Sequence, residues 1–250
     1  MVIHATAVVD PGARIGRDVE IGPFAEIGAE VTLGDGTVIH GHAVVRGPTQ
    51  VGRECTVHPF AVLGGAPQVK NSERGHGTSL VIGDHNVFRE HVTVHRGSES
   101  ERTRIGDENL FMVGAHIAHD AFIGSHVTVA NGVQLAGHVV VEDHATFGGL
   151  SGAAQFVRVG ESAFVAAGAM CERDVPPFVI VQGDRARVRA LNVVGLRRRG
   201  VPESSIGALR AAYRRLFLRG HPVGGALGDV AEGDPYVQRL VAMLERSRGR

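Results

Sequence analysis

Residues 3–33 read IHATAVVDPGARIGRDVEIGPFAEIGAEVTL, and an aliphatic residue falls on every sixth place: Ile3, Val9, Ile15, Ile21, Ile27 and Leu33. The register continues through Ile39, Val45, Val51 and Val57 to Leu63, so eleven successive steps land on an aliphatic side chain. In a chain that is 43% hydrophobic this is not chance, and a fixed internal period marks a repeat architecture. The period resumes at Ile82, Phe88 and Val94. It resumes again at Ile105 and runs through Phe111, Ile117, Ile123, Val129, Leu135, Val141, Phe147, Ala153 and Val159 to Val165. Four places after each anchor stands a small or β-branched residue (Ala7, Ala13, Val19, Ala25, Val31, Thr37, Ala43), and Gly often follows the anchor directly. The pattern predicts an all-β, left-handed parallel β-helix. Each hexad gives one short strand and one turn, three hexads close a triangular coil, and coils stack about 4.8 Å apart. The anchors point inward, the small residue fits the corner, and the Gly is expected to ease the backbone through the turn.

Composition agrees. With 35 Gly, no Trp and 5% aromatics, the chain lacks the aromatic volume of an ordinary globular core and suits thin aliphatic layers. No stretch is apolar enough to span a bilayer, and MVIHATAVVDPGARIG lacks the basic start and unbroken apolar run of a signal peptide; a cytoplasmic protein is expected. Cys55 and Cys171 stand far apart and read as small buried thiols, not as a disulfide or metal motif. Net charge is zero, yet residues 1–182 hold twelve basic and twenty acidic groups, whereas residues 183–250 hold fourteen arginines and six acids. A basic block of this kind suits an anionic partner. Nucleic acid is not the expected one, because the block is confined and has no interleaved aromatics.

Two interruptions break the hexads, near 65–80 and within 97–104, both polar and rich in Gly or Ser. Counted in threes, both leave the face that also carries Ile117, Leu135 and Ala153, and excursions that share a face usually serve a site. After Cys171, Asp174-Val175-Pro176-Pro177 reads as a stop, since two prolines cannot continue a ladder. The expected division is a β-helix over 1–182 and a small α-helical domain over 183–250. In the latter, a helix opens at Pro202-Glu203, places Ile206, Leu209, Tyr213, Leu216 and Phe217 on one side, and ends at Gly220 before Pro222. A second starts from Asp234 as cap and Pro235 in the first turn, and carries Val237, Leu240, Val241 and Leu244.

Fourteen histidines can be sorted by the coil period. His119, Gly137 and Gln155 fall in one column, with His138 beside it, His116 one corner earlier, and Asp120 adjacent to orient His119. A histidine suits proton abstraction near neutral pH, and a Gly amide admits a close reacting group and can hold an oxyanion. His4, His40, His42, His58, His85 and His144 read instead as decoration of turns. A second class stays open. Histidines on such a prism could bind zinc between subunits, three imidazoles plus water making a catalytic zinc site, as in the β-helical carbonic anhydrases that the architecture distantly resembles.

The segments GAHIAHDAFIG (114–124), LAGHVVVED (135–143), GG…QF (148–156), DVPPFVIVQG (174–183) and NVVGLRRRG (192–200), with Val94-His95-Arg96-Gly97, closely resemble the bacterial UDP-N-acetylglucosamine O-acyltransferase family over essentially the whole chain. The resemblance implies the first step of lipid A biosynthesis. A (3-hydroxy)acyl chain would pass from acyl carrier protein to the 3-hydroxyl of a UDP-sugar, without cofactor or metal, in a homotrimer with sites between subunits. It implies His119 as base with Asp120 as its partner and Gly137 as the oxyanion amide. It assigns His116, His138, Gln155, Asn192 and Arg198 to sugar or phosphate, along with Gln68 and Lys70 of the long loop. Arg199 and the arginine-rich tail would meet the acidic carrier protein, and Ala167 would limit the acyl groove, favouring shorter chains. Three places depart from the family: Ala154 replaces the His of HQF, Val194 replaces an acid, and Gln68-Val69-Lys70 lacks the Asp of QDLK. All three belong to the nucleotide-sugar side, so a paralogue with a different acceptor, such as an amino sugar, stays open.

Overall fold

The computed structural model describes residues 1–70, 77–98, 102–218 and 233–247. Its strands stack in three sheets of eleven, nine and eight strands, parallel but for the last strand of the first, and begun by Val2–Ile3, Val8–Val9 and Arg14–Ile15 respectively. The order in each sheet advances by three strands through the coils, as a three-sided coil requires, and only the last two strands of the eleven-stranded sheet depart from it. The anchors pair in register from coil to coil: Leu63 with Val94, Val94 with Ile117, Ile117 with Leu135, and Leu135 with Ala153. The expected shared face is therefore the second sheet. Interior anchors such as Ile39, Val45, Phe111, Ile123 and Leu135 are buried, and Phe88 stacks on Phe111 with ring centroids 4.9 Å apart. Phe111→Ala in this column would cost about 3–5 kcal/mol.

The glycine reading needs correction. The left-handed residue of each corner lies three places after the anchor and is seldom Gly: Asp18, Phe24, His42, Asp120 and His138 all have φ between 53° and 61°. Such a conformation costs a non-Gly residue about 1–2 kcal/mol. An inter-coil bond offsets it, as when His138 N–H donates to His119 C=O at 3.0 Å. The Gly directly after the anchor answers a different demand. A Cβ on Gly34 would lie 2.5 Å from the carbonyl carbon of Gly52, and one on Gly52 would lie 2.3 Å from Gly83 O. Stacking leaves no room for a side chain there.

The stop and the boundary also shift. Val159 bridges Val175 in parallel, and Phe164–Val165 pairs with Val179–Gln182, so the ladder passes the prolines. It can do so because they occupy a corner: Pro177 N lies 2.5 Å from where a Gly160 Cβ would stand, and Phe178 takes the left-handed place at φ 67°. Arg187–Leu191 then returns antiparallel to Val179–Gln182. The expected division at 182/183 falls inside this hairpin, and the helical segment starts at Val193. The excursions are shorter than expected, because Val62–Gly65, Ser79–Ile82 and Arg102–Ile105 are strand.

Helices Val193–Arg198, Glu203–Tyr213 and Pro235–Arg246 follow, the second continued by a π-helical turn over Arg214–Leu218. Gly220 and Pro222, expected to end that helix, lie outside the described residues. Asp234 caps the last helix as expected, accepting from Tyr236 N–H at 2.9 Å. Glu161, buried at the end of the prism, pairs with Arg199 and with Arg239 of the last helix, and so ties the helices to the coils. No described helix is long and apolar enough to cross a membrane.

Candidate active site

His116–Ile117 forms a strand of the second sheet, and the next corner turns at Ala118-His119-Asp120. Asp120 has φ 60°, which swings its side chain back beneath its neighbour. His119 Nδ1 lies 2.7 Å from Asp120 Oδ2, with 8% of the imidazole and none of the carboxylate exposed. The small excursion reaches over this pair. Ser98 Oγ donates to Asp120 Oδ2 at 2.6 Å, Ser98 N–H donates to Oδ1 at 3.0 Å, and Ser98 Oγ is 3.0 Å from His119 Nδ1. Asp120 N–H donates to Thr103 Oγ1 at 2.8 Å. A carboxylate beside Nδ1 fixes the proton there, so Nε2 is the basic nitrogen.

Gly137 lies one coil further along the column. A Cβ there would stand 2.6 Å from His119 Cε1 and 2.9 Å from Nε2, so the glycine is what lets the ring lie flat beneath the backbone. Among the described residues its N–H donates to no backbone acceptor. The expected column of His119, Gly137 and Gln155 is assembled. All three line a cleft of about 450 Å³ with Gln68 and His116. Its far wall is apolar and small: Gly152, Ala153, Ala154, Met170 and Cys171. Burial pushes the Cys171 thiol up to about 12, so it is no nucleophile.

The other histidines are arranged around the pair. His138 lies with its ring centroid 5.4 Å from that of His119, nearly perpendicular, and stacks on Phe156 at 4.6 Å; its Nε2 is 3.6 Å from Asp120 Oδ2. His116 Nδ1 is 2.7 Å from Thr93 Oγ1. Burial first, and then the nearby His119, lowers the His116 pKa. Behind it, burial first and then His116, His119 and Arg96 push His95 down to about 4. Within one chain the imidazoles of His119 and His138 are joined by a carboxylate. Among the described residues the cluster with metal-ligand spacing is His119, Asp120 and His138, and 2.7 Å between His119 and Asp120 is a hydrogen bond.

The remaining expected residues lie elsewhere on this chain. Asn192, Arg198 and Arg199 line a separate pocket of about 650 Å³, with His126, His144 and Val194, on the corner between the third and first sheets. Asn192 is buried there as the N-cap of Val193–Arg198. Its Oδ1 accepts from Gly195 N–H at 3.1 Å and its Nδ2 donates to Ser162 O at 3.0 Å. Lys70 is exposed two residues beyond Gln68 and does not line the cleft. Ala167 is exposed at the corner between Phe164–Val165 and Met170–Cys171, outside both pockets. Sequence reasoning missed Ser98, Thr93, Thr103 and the His126–His144 pair, and it set His144 aside as decoration. The signal for Ser98 was its place in an excursion that leaves the face of His119.

Comparison with known proteins bears on the same residues. Residues 174–250 match the family model "Udp N-acetylglucosamine O-acyltransferase; Domain 2", and residues 30–65 match "Bacterial transferase hexapeptide (six repeats)". The structure of LpxA from Acinetobacter baumannii superposes with a TM-score of 0.94 at 38% identity, covering 99% of this chain and 98% of that one. The chain belongs to the UDP-N-acetylglucosamine O-acyltransferase family. A second such acyltransferase, from Bacteroides fragilis, superposes with a TM-score of 0.95 at 34% identity over 98% of both chains. A curated relative from Pseudomonas syringae, named acyl-[acyl-carrier-protein]–UDP-N-acetylglucosamine O-acyltransferase, is 44% identical over 163 residues. That match spans 64% of this chain and 63% of the relative's length. Family membership thus rests on the full-length structural match.

Proposed function

We propose that this chain is the O-acyltransferase that moves a (3-hydroxy)acyl group from acyl carrier protein to the 3-hydroxyl of UDP-N-acetylglucosamine, the first step of lipid A biosynthesis. The observation that carries this reading is the buried His119–Asp120 pair beneath Gly137, with His119 lining the cleft. His119 Nε2 takes the hydroxyl proton as the sugar oxygen attacks the thioester carbonyl carbon. The tetrahedral oxyanion meets the Gly137 N–H. Collapse breaks the carbon–sulfur bond, and the departing sulfur takes the proton from His119. Asp120 holds the imidazolium between these steps.

The active assembly in this reading is a homotrimer. Asn192, Arg198 and Arg199 lie on a different corner from His119, so nucleotide and sugar meet both sets when a neighbouring copy brings that corner to the cleft. Gln68, Lys70, His116, His138 and Gln155 contact the UDP-sugar from the cleft side, and Ala167 limits the acyl chain. Arg199, tied to Glu161, and the exposed arginines of the tail meet the acidic carrier protein. The site of action is cytoplasmic, where acyl carrier protein is loaded.

Purified protein supplied with acyl carrier protein bearing 3-hydroxyacyl chains of several lengths should acylate UDP-N-acetylglucosamine, shorter chains best. No transfer with any chain would reject the activity, and a preference for the longest would reject the role of Ala167. Stoichiometric zinc required for activity would favour the carbonic anhydrase-like alternative. A second acceptor is favoured by one observation: Ala154 lines the cleft where the family has an imidazole. The 3-amino analogue of the sugar, offered in competition, decides between the two.

A further inference from the structure

The small excursion supplies more than a wall. The Asp120 side chain is fully buried, and a buried carboxylate is tolerated only when its oxygens are matched by donors. Ser98 supplies two of them, its N–H on Oδ1 and its Oγ–H on Oδ2. Having given its only proton to Oδ2, the Ser98 hydroxyl presents a lone pair to His119 Nδ1, 3.0 Å away. Two acceptors, Asp120 Oδ2 and Ser98 Oγ, then converge on one ring nitrogen. That arrangement demands a hydrogen on Nδ1 and leaves Nε2 without one. There is also a competitor, because His138 Nε2 stands 3.6 Å from the same Oδ2.

We propose that Ser98 is a positioning residue for the proton-transfer pair: its hydroxyl and amide lock Asp120 onto His119 and away from His138, and so set the tautomer in which Nε2 is the base. The proposal rests on the acyl-transfer reading above, with His119 as its base. Ser98 touches no reacting atom. Its loss acts through Asp120, which with one donor fewer holds the imidazolium more tightly.

The test compares the native protein with Ser98→Ala and Ser98→Thr. In Ser98→Ala, kcat should fall by about ten- to a hundredfold, as for a lost hydrogen bond to a charged group. The KM for the sugar should stay within about twofold, since such a loss acts on the transition state rather than on binding. The acid limb of the pH profile should move to higher pH. Ser98→Thr, which keeps the hydroxyl, should restore both. Nitrogen-15 NMR of the His119 ring provides a readout independent of turnover: one tautomer, protonated at Nδ1, in the native and Thr proteins, and a mixture in Ser98→Ala. An unmoved acid limb with an unmixed tautomer in Ser98→Ala, or a Thr variant as impaired as Ala, overturns the proposal. Absence of transfer by the native protein overturns the acyl-transfer reading instead, and the NMR comparison still decides the role of Ser98.

Discussion

Two imidazole–carboxylate pairs on this prism are made of the same chemistry and differ in almost everything else. His85 and Glu54 meet across two coils on the corner between the third and first sheets, 3.3 Å apart, with 50% and 67% of their side chains exposed. His119 and Asp120 meet on the corner between the second and third sheets, 2.7 Å apart, and are almost fully covered. Backbone geometry does not separate them, since His85 at φ 56° and Asp120 at φ 60° hold equivalent left-handed places. The cover does. Ser98 and Gly137 close over the second pair, and nothing comparable among the described residues closes over the first. An exposed pair gains at most about 1 kcal/mol and is screened by salt. A buried one holds a defined tautomer and proton.

The sharpest way to break this contrast is to truncate both imidazoles. His119→Ala should lower acyl transfer by about a hundredfold or more, the usual contribution of a general base. His85→Ala should leave transfer within about twofold, as for other exposed ion pairs. Equal losses in steady-state assays would dissolve the distinction. Gly137→Ala comes next. Its Cβ would strike His119 at 2.6 Å, so the ring must move, and a misplacement of about 1 Å costs about a hundredfold. A Gly137→Ala protein with native activity would remove both the amide and the close packing from the mechanism. The shared-site arrangement can be tested with inactive partners. His119→Ala and Arg198→Ala chains, each impaired alone, should recover activity when unfolded and reassembled together. No recovery despite mixed trimers would place both residues in one chain's site.

The smallest expected effect concerns stability. Burial keeps His95 neutral to about pH 4, whereas the unfolded imidazole takes up its proton near 6.5. The contribution is therefore present above pH 6.5 and is lost as pH falls from 6.5 towards 4. Denaturant midpoints between pH 7 and 4.5 should fall more steeply for the native protein than for His95→Gln. Parallel curves would mean that His95 is not the group titrating.

The legible parts of the molecule were those with a period. Anchor registers, the shared face of the excursions and the column His119–Gly137–Gln155 follow from counting, because stacking converts sequence distance into spatial contact. Ser98 escaped because it sits in an excursion, where counting is suspended and only the covering hydroxyl reveals its role. Pro176-Pro177 misled because proline forbids a strand but not a corner. The glycines after the anchors were noticed for the wrong reason: their demand comes from the next coil, which a local reading of turns does not see. Asn192, Arg198 and Arg199 matched the family motif, yet only the fold reveals that they stand on another corner from His119.

The inter-coil pairing has a further consequence for how this site tolerates insertion and deletion. Position along the chain works as an angle and a height. Removing one hexad below His119 would carry it a third of a turn round the axis, off the face that holds Ser98 and Gln68. Removing a whole coil would keep the angle and lower the site by about 4.8 Å, one inter-strand spacing. Length changes confined to a corner, like the two excursions, alter neither. Loop length can therefore vary beyond Gln68 and Ser98 while the angle and height of His119 stay fixed.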